Sequence, residues 1–250
     1  MKYYSFTDIG LKRTKNEDAY AVYDSAACCS EGARRMSLFA VADGIGGHSC
    51  GDVASKIACR ELKLLFDDPG SGSDAGWFVE RIEILIHSID KHIRKEGEKN
   101  PACEDMGTTL SALLLTEDFG VLAHVGDSRI YRLRNGVLSQ LTSDHTFTQE
   151  MVEDGDLSPE SAATHPLRSV LTRAVGTGEP LGKVDTGILE LIPGDCFLIS
   201  SDGLHDMVSK EKIENILKTH ADPKRSGQKL LQKALKGGGK DNITGIIIHL

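Results

Sequence analysis

The sequence predicts an α+β fold in which largely antiparallel sheet is covered by paired helices, and three observations carry that expectation. Amphipathic stretches occur two at a time rather than singly between strands. The other apolar runs are short and bounded by turn residues, as strands are. Two of the connections, at residues 116–120 and 134–137, have hairpin length and turn chemistry.

Along the chain, residues 51–66 place Val53, Ala54, Ile57, Ala58, Leu62 and Leu65 on one helical face. After a Gly/Ser linker, Asp74 is the expected N-cap of a second helix with the stripe Ile82, Leu85, Ile86, Ile89, Ile93, ending before Gly97. A short linker implies that these two pack antiparallel. A second pair is expected at 209–219 and after Asp222, with Pro223 in the first turn and Gly237, Gly238 and Gly239 as the stop. Strands are expected at 37–42, 109–115, 120–125, 129–133, 187–191, 196–200 and 243–249, and their unbroken apolar character implies burial on both faces. Residues 144–173 are polar, weakly periodic and interrupted by Pro159 and Pro166, so they read as a surface insertion or lid within one domain spanning 1–250.

Composition narrows the function. A net charge of −8 over 250 residues is a poor surface for polyanions, which excludes nucleic acid as the expected partner. The N-terminus has no apolar core of a leader, Lys2 stands where acylation needs glycine, and no apolar run approaches the roughly 18 residues of a span. The expectation is a soluble, unprocessed, cytoplasmic monomer without membrane contact. Cys28, Cys29, Cys50, Cys59, Cys103 and Cys196 lack Cys-x-x-Cys spacing and read as reduced thiols.

The informative residues are acids at strand ends. Asp43 and Asp202 each follow an apolar run and precede glycine, whereas Glu17-Asp18 and Asp241-Asn242 stand just before strands. In antiparallel sheet these positions reach one edge. Two carboxylates about 4 Å apart repel by roughly 4 kcal/mol at an effective dielectric near 20, so a cluster of them needs cations or protons. Oxygen ligands without paired His or Cys favour Mg²⁺ or Mn²⁺, and Gly44 allows its own carbonyl to turn toward an ion. Arg13, four residues before Glu17, carries a planar fork suited to phosphate, and Asp127 adds an acid in the turn Val125-Gly-Asp-Ser-Arg129.

These pieces together resemble a family. Arg13-Thr-Lys-Asn-Glu-Asp18, Val41-Ala-Asp-Gly-Ile-Gly-Gly-His48, Met106-Gly-Thr-Thr109, Val125-Gly-Asp-Ser-Arg129, Ser201-Asp-Gly203 and Lys240-Asp-Asn242 occur in the order found in the type 2C, metal-dependent serine/threonine protein phosphatases, especially the compact bacterial members. The resemblance implies a four-layer α-β-β-α sandwich with two central sheets between antiparallel helix pairs. It further implies that Asp43 bridges two Mn²⁺ or Mg²⁺ ions, that Asp202 and Asp241 complete the first, and that the Gly44 carbonyl and Glu17 serve the second. By the same resemblance Asp18 orients the nucleophile, Asp127 with Asp202 holds a third, weaker ion, Arg13 clamps the phosphate and 144–173 is a mobile flap. The implied reaction is direct attack of a metal-activated water on phosphoserine or phosphothreonine in protein substrates, opposing a serine/threonine kinase.

Ile45 departs from the pattern, since many eukaryotic members carry a histidine there as a proposed proton donor, and the general acid stays open. His48, near the start of the first helix, is expected to be structural; His145 and His165 read by default as surface or satisfied core histidines, with approach to a substrate as the alternative. Two rivals remain. One is a catalytically inactive regulatory module of the same fold that binds phosphoproteins, which predicts loss of a metal-bridging acid. The other takes residues 44–51 as a nucleotide loop, although the run lacks the Lys-Ser/Thr of a P-loop.

Overall fold

The computed structural model describes residues 1–24, 35–46, 50–67 and 74–250. The chain opens with strands β1 (Lys2–Asp8), β2 (Asp18–Asp24) and β3 (Ser37–Ile45), followed by helices α1 (Gly51–Glu61), α2 (Leu64–Asp67) and α3 (Ala75–Gly97). A 3₁₀ turn at Pro101–Cys103 leads into β4 (Gly107–Thr108), β5 (Leu110–Leu115), β6 (Phe119–Val125), β7 (Arg129–Arg134) and β8 (Val137–Gln140). Two short helices, α4 (Phe147–Glu153) and α5 (Pro159–Ala162), lie in the 144–173 segment. Then come β9 (Asp185–Glu190), β10 (Cys196–Ser200), α6 (Asp202–His205), α7 (Lys210–Thr219), α8 (Pro223–Lys236) and β11 (Ile243–His249).

The described strands form two sheets, ordered β1-β11-β10-β7-β8 and β2-β3-β5-β6-β9, with antiparallel pairing throughout and β4 added to β3. The period-2 alternation of side chains divides the core into three layers. Leu38, Ala40 and Ala42 of β3 join Ile57 and Leu62 and the stripe Ile82, Ile86, Ile89, Ile93 beneath the first helix pair. Phe39 and Val41 point the other way and meet Phe197, Ile199, Ile246 and Ile248 between the sheets. Leu198, Ile243 and Ile247 face Ile213, Leu217 and Leu230 of the second helix pair. The result is the four-layer α-β-β-α sandwich. Phe197, fully enclosed between the sheets, is a residue whose loss should be costly, about 3–5 kcal/mol for truncation to alanine.

Local chemistry accounts for the element ends. Asp74 caps α3 by accepting from the Trp77 N–H at 3.0 Å, and Asp222 caps α8 by accepting from Lys224. Asn135 and Gly136 take φ of 51° and 76°, the primed turn that closes the β7–β8 hairpin.

Several expectations need correction. The helix expected at 51–66 is two pieces, because the bonds of Lys63 to Arg60, Leu65 to Leu62 and Phe66 to Lys63 are of the tighter i to i+3 kind, and Val53 is exposed. Strand β3 runs past Ala42 to Ile45, since Gly44 and Ile45 pair with Thr108 and Gly107; Asp43 therefore lies inside a strand. The turn at Val125–Arg129 joins β6 of one sheet to β7 of the other, so it crosses between layers. Finally, Cys50 and Cys103 are joined in a disulfide, with Cα atoms 5.4 Å apart, because α1 and the turn after α3 bring the two cysteines together; Cys59 and Cys196 are buried free thiols. Cys28, Cys29 and His48 lie outside the described residues.

Candidate functional site

The acids expected at strand ends come together at one end of the sandwich, in a cavity of about 490 Å³ lined by Arg13, Glu17, Asp43, Gly44, Asp127, Asp202, Asp241 and Asn242. Both sheets contribute. Asp43 is on β3 of the six-stranded sheet, with Asp18 opposite it on β2. Asp202 begins α6 directly beyond β10, and Asp241 precedes β11, the neighbour of β10 in the other sheet. Asp127 sits in the crossing between the sheets. Packing the sheets face to face thus turns acids distant in sequence into one acidic mouth.

Hydrogen bonds fix the backbone around this mouth. The Asp43 N–H donates to Thr109 Oγ1 (2.9 Å), while its carbonyl accepts from the Thr109 N–H (2.9 Å) and from Thr108 Oγ1 (2.9 Å). Gly44 donates to the Glu17 carbonyl (3.2 Å), which also accepts from Ser55 Oγ (2.6 Å), so the Glu17 backbone is tied to β3 and α1 at once. A side chain at Gly44 would run into the Gly51 backbone, which is why the two glycines allow the end of β3 to lie on the start of α1. Asn242 fastens the loop before β2 to the second sheet. Its Oδ1 accepts from the Glu17 N–H (2.8 Å), and its Nδ2 donates to the carbonyls of Ile9 and Lys15 (3.0 Å each).

Electrostatics make the cavity favourable for cations or protons. Burial, then the charges of Asp18, Asp202, Asp127 and Asp241, hold the Asp43 carboxyl well above the usual carboxylate range. Asp43 and Asp202 keep some accessible surface because they face the cavity, but protein rings both, and that enclosure dominates. Asp202 is likewise held high by burial and by Asp127 and Asp241. Burial pushes Asp18 up to about 6, against the lowering effect of hydrogen bonds that include Ser201 Oγ at 2.8 Å, and pushes Asp127 up to about 7, helped by Asp144. One oxygen each of Asp18 and Asp202 is buried with no hydrogen-bond partner. Orphaned carboxylate oxygens are expensive to leave unmade.

Among the described residues no three acids already converge at ligand distance about one point. Arg13 Nη2 donates to Asp241 Oδ2 at 2.6 Å. The donor set nevertheless fits hard divalent ions: carboxylates and the Gly44 carbonyl, unshared with His or Cys, with partnerless oxygens at hand. Arg13, whose side chain is half exposed, sits at the rim beside these acids.

The 144–173 segment closes one side. Arg168 and Ser169 line the cavity, and Arg168 pairs with Asp206 at 3.2 Å. His165 accepts from the Leu167 N–H through Nδ1. His145 is buried at 1% exposure, the satisfied core histidine that was its default reading and not a substrate contact, and burial holds it below its ordinary value. Arg129 forks onto Asp144 with three bonds of 2.6–3.0 Å. Sequence reasoning gave no part to Asn242, Thr109, Ser201 or Arg168; the first three stand within or next to the quoted motifs, which was the available signal.

Comparison with known proteins follows the same line. The family model described as protein phosphatase 2C matches residues 12–237. The serine/threonine protein phosphatase PstP of Mycobacterium tuberculosis is 39% identical over 247 residues, covering 99% of this chain and 44% of PstP; the chain thus spans under half the length of that curated relative. The serine/threonine phosphatase stp of Listeria monocytogenes is 37% identical, with 97% of this chain and 93% of stp covered. Among solved structures, Stp1 from Staphylococcus aureus superposes with a TM-score of 0.90 at 33% identity, covering 100% of this chain and 94% of that one. The catalytic domain of PstP, solved in complex with two manganese ions, gives a TM-score of 0.82 at 37% identity, covering 98% and 96%. With its sandwich, its ordered motifs and this family match over most of its length, the chain belongs to the protein phosphatase 2C family.

Proposed function

We propose that this chain hydrolyses phosphoserine and phosphothreonine monoesters in other proteins at a centre of two Mn²⁺ or Mg²⁺ ions. The observation that carries the reading is the convergence of Asp43, Asp202 and Asp241 from two sheets on one cavity, with orphaned carboxylate oxygens inside and Arg13 at the rim. The relatives named as serine/threonine phosphatases, and the two manganese ions of the PstP domain, support the same substrate class and metal.

In this reading Asp43, Asp202, Asp241, Glu17 and the Gly44 carbonyl, all of which line the cavity, would hold the two ions. Asp127 with Asp202 takes a third, weaker ion. When bound, the ions supply Lewis acidity and lower the pKa of water at neutral pH. Asp18, its Oδ2 held by Ser201, would orient the attacking water. Arg13 moves its guanidinium from Asp241 to the phosphate, where two parallel N–H donors match two oxygens. The 144–173 segment acts as a flap over the peptide. The substrate is supplied by a serine/threonine kinase, and the enzyme acts as a cytoplasmic monomer without nucleic acid or membrane. No described helix is long and apolar enough to cross a membrane. The Cys50–Cys103 bridge pulls against a reducing compartment.

The test is phosphate release from a phosphothreonine peptide by the purified chain. Millimolar Mn²⁺ should support turnover, a chelator should abolish it, and Asp43→Asn or Asp241→Asn should lower kcat by roughly 100-fold or more, the scale of a lost electrostatic contact in the transition state. Turnover that survives chelation would overturn the reading. It would point to thiol chemistry instead, since the bare spacing Cys-x5-Arg occurs at Cys28/Arg34 and Cys29/Arg35.

A further inference from the structure

His145 makes two hydrogen bonds to one residue. Its backbone N–H donates to the Gly126 carbonyl at 2.7 Å, and the Gly126 N–H donates back to its ring Nδ1 at 3.0 Å. Gly126 is the residue before Asp127. It takes φ of +104°, and a Cβ there would run into Thr109. Thr109 in turn bonds the Asp43 main chain in both directions and reaches the Ser128 hydroxyl at 2.7 Å. The turn that presents Asp127 is therefore fastened on one side to the strand of Asp43 and on the other to His145.

The ring serves this role in a single tautomer. A backbone N–H can only donate, so Nδ1 accepts and the ring proton sits on Nε2, which faces Asp185 Oδ2 at 3.2 Å. Asp185 is itself held by Arg173 at 3.2 Å. The backbone of His145 also joins the two stems of the 144–173 segment. Its carbonyl accepts from the Thr172 N–H at 3.0 Å, and one step further Phe147 donates to Val170 at 2.9 Å. Arg168, carried by that segment, lines the acidic cavity. One buried residue thus connects the presentation of Asp127, through its ring and backbone, with the anchorage of the segment above it, through its backbone.

We propose that His145 is a positioning residue: through Gly126 it sets where Asp127 points, and through its backbone it holds the 144–173 segment in register with that turn. The proposal rests on the reading of Asp127 as the ligand of the third, weaker ion.

The test uses the whole chain, freed of metal and titrated with Mn²⁺ by calorimetry, alongside kcat and KM at graded Mn²⁺. His145→Asn leaves an acceptor where Nδ1 lies, whereas His145→Gln keeps a donor toward Asp185 and loses that acceptor. Asn should bind all ions within roughly 3-fold of the parent, while Gln should weaken the weakest ion by about 10-fold or more and leave the tighter ions nearly unchanged, the size seen when a partner behind a metal ligand is removed. The Mn²⁺ concentration that gives half-maximal kcat should rise with Gln and not with Asn. Asp127→Asn is the control and should abolish the weakest ion. If it does so while Gln binds like the parent, the proposal is overturned and the reading of Asp127 stands. Equal weakening of every ion in both variants would make His145 merely structural, and would also overturn it. If Asp127→Asn leaves all ions in place, the reading of Asp127 fails, and the proposal fails with it.

Discussion

Asp18 and Asp43 stand directly opposite each other across the β2–β3 ladder, two acids at a position where like charges oppose pairing. Burial and mutual crowding push Asp18 up to about 6 and Asp127 up to about 7 and hold Asp43 and Asp202 well above the usual range. In the unfolded chain these groups titrate near 4. Between about pH 4 and 7 the native state therefore binds more protons than the unfolded state, and metal-free stability falls as pH rises through that window. The metal-free melting temperature should be higher at pH 5.5 than at pH 8, and saturating Mn²⁺ should remove or reverse the slope by binding the native state alone. Asp43→Asn should raise the metal-free melting temperature at pH 8 and flatten the slope. A melting temperature that climbs with pH in chelator would contradict the crowding of these acids.

Arg13 donates to Asp241 at 2.6 Å from a half-exposed position, close enough to the acids to meet a phosphate held among them. A charge-assisted contact of about 1.5–3 kcal/mol corresponds to roughly 10- to 100-fold in binding. Arg13→Ala should accordingly raise KM for phosphopeptide by at least about 10-fold with a smaller change in kcat, and Arg13→Lys should restore little, because a point charge does not reproduce the fork. Parent-like KM in both variants would leave Arg13 with no part in substrate binding.

The Cys50–Cys103 bridge closes a loop of 53 residues that includes α1 and α3. Constraining such a loop in the unfolded chain is worth about 2–4 kcal/mol. Reduction, or the double change Cys50→Ser with Cys103→Ser, should lower the unfolding free energy by about that amount, move the denaturant midpoint down and steepen the slope as the unfolded chain expands. Peptide mapping of unreduced protein should recover the two cysteines on linked peptides; two separate free-thiol peptides and an unchanged midpoint would remove the bridge.

What was legible in the sequence was what contrast makes visible. Asp43 and Asp202 stand out because an apolar run stops at an acid followed by glycine, and the paired helices stand out because Ile82, Ile86, Ile89 and Ile93 repeat at helical spacing. Strands β1 and β8 were missed because each is an edge strand with half-exposed, polar positions, and β2 was inferred only as something following Asp18. The disulfide was missed because nothing local relates Cys50 to Cys103; packing of α1 on α3 does. Asn242 and His145 act through hydrogen bonds to loop backbone that exist only after the two sheets meet, so no periodicity reports them.

In the proposed function, acids from both sheets form a single ion centre around Asp43. Anomalous diffraction from crystals of the protein equilibrated with Mn²⁺ tests it most directly. Two peaks about 3.5–4 Å apart are expected on either side of the Asp43 carboxylate, one within ligand distance of Asp202 and Asp241 and the other of the Gly44 carbonyl. Peaks at any other place, or an acidic cavity without manganese in crystals of protein that is active in the same buffer, would contradict it.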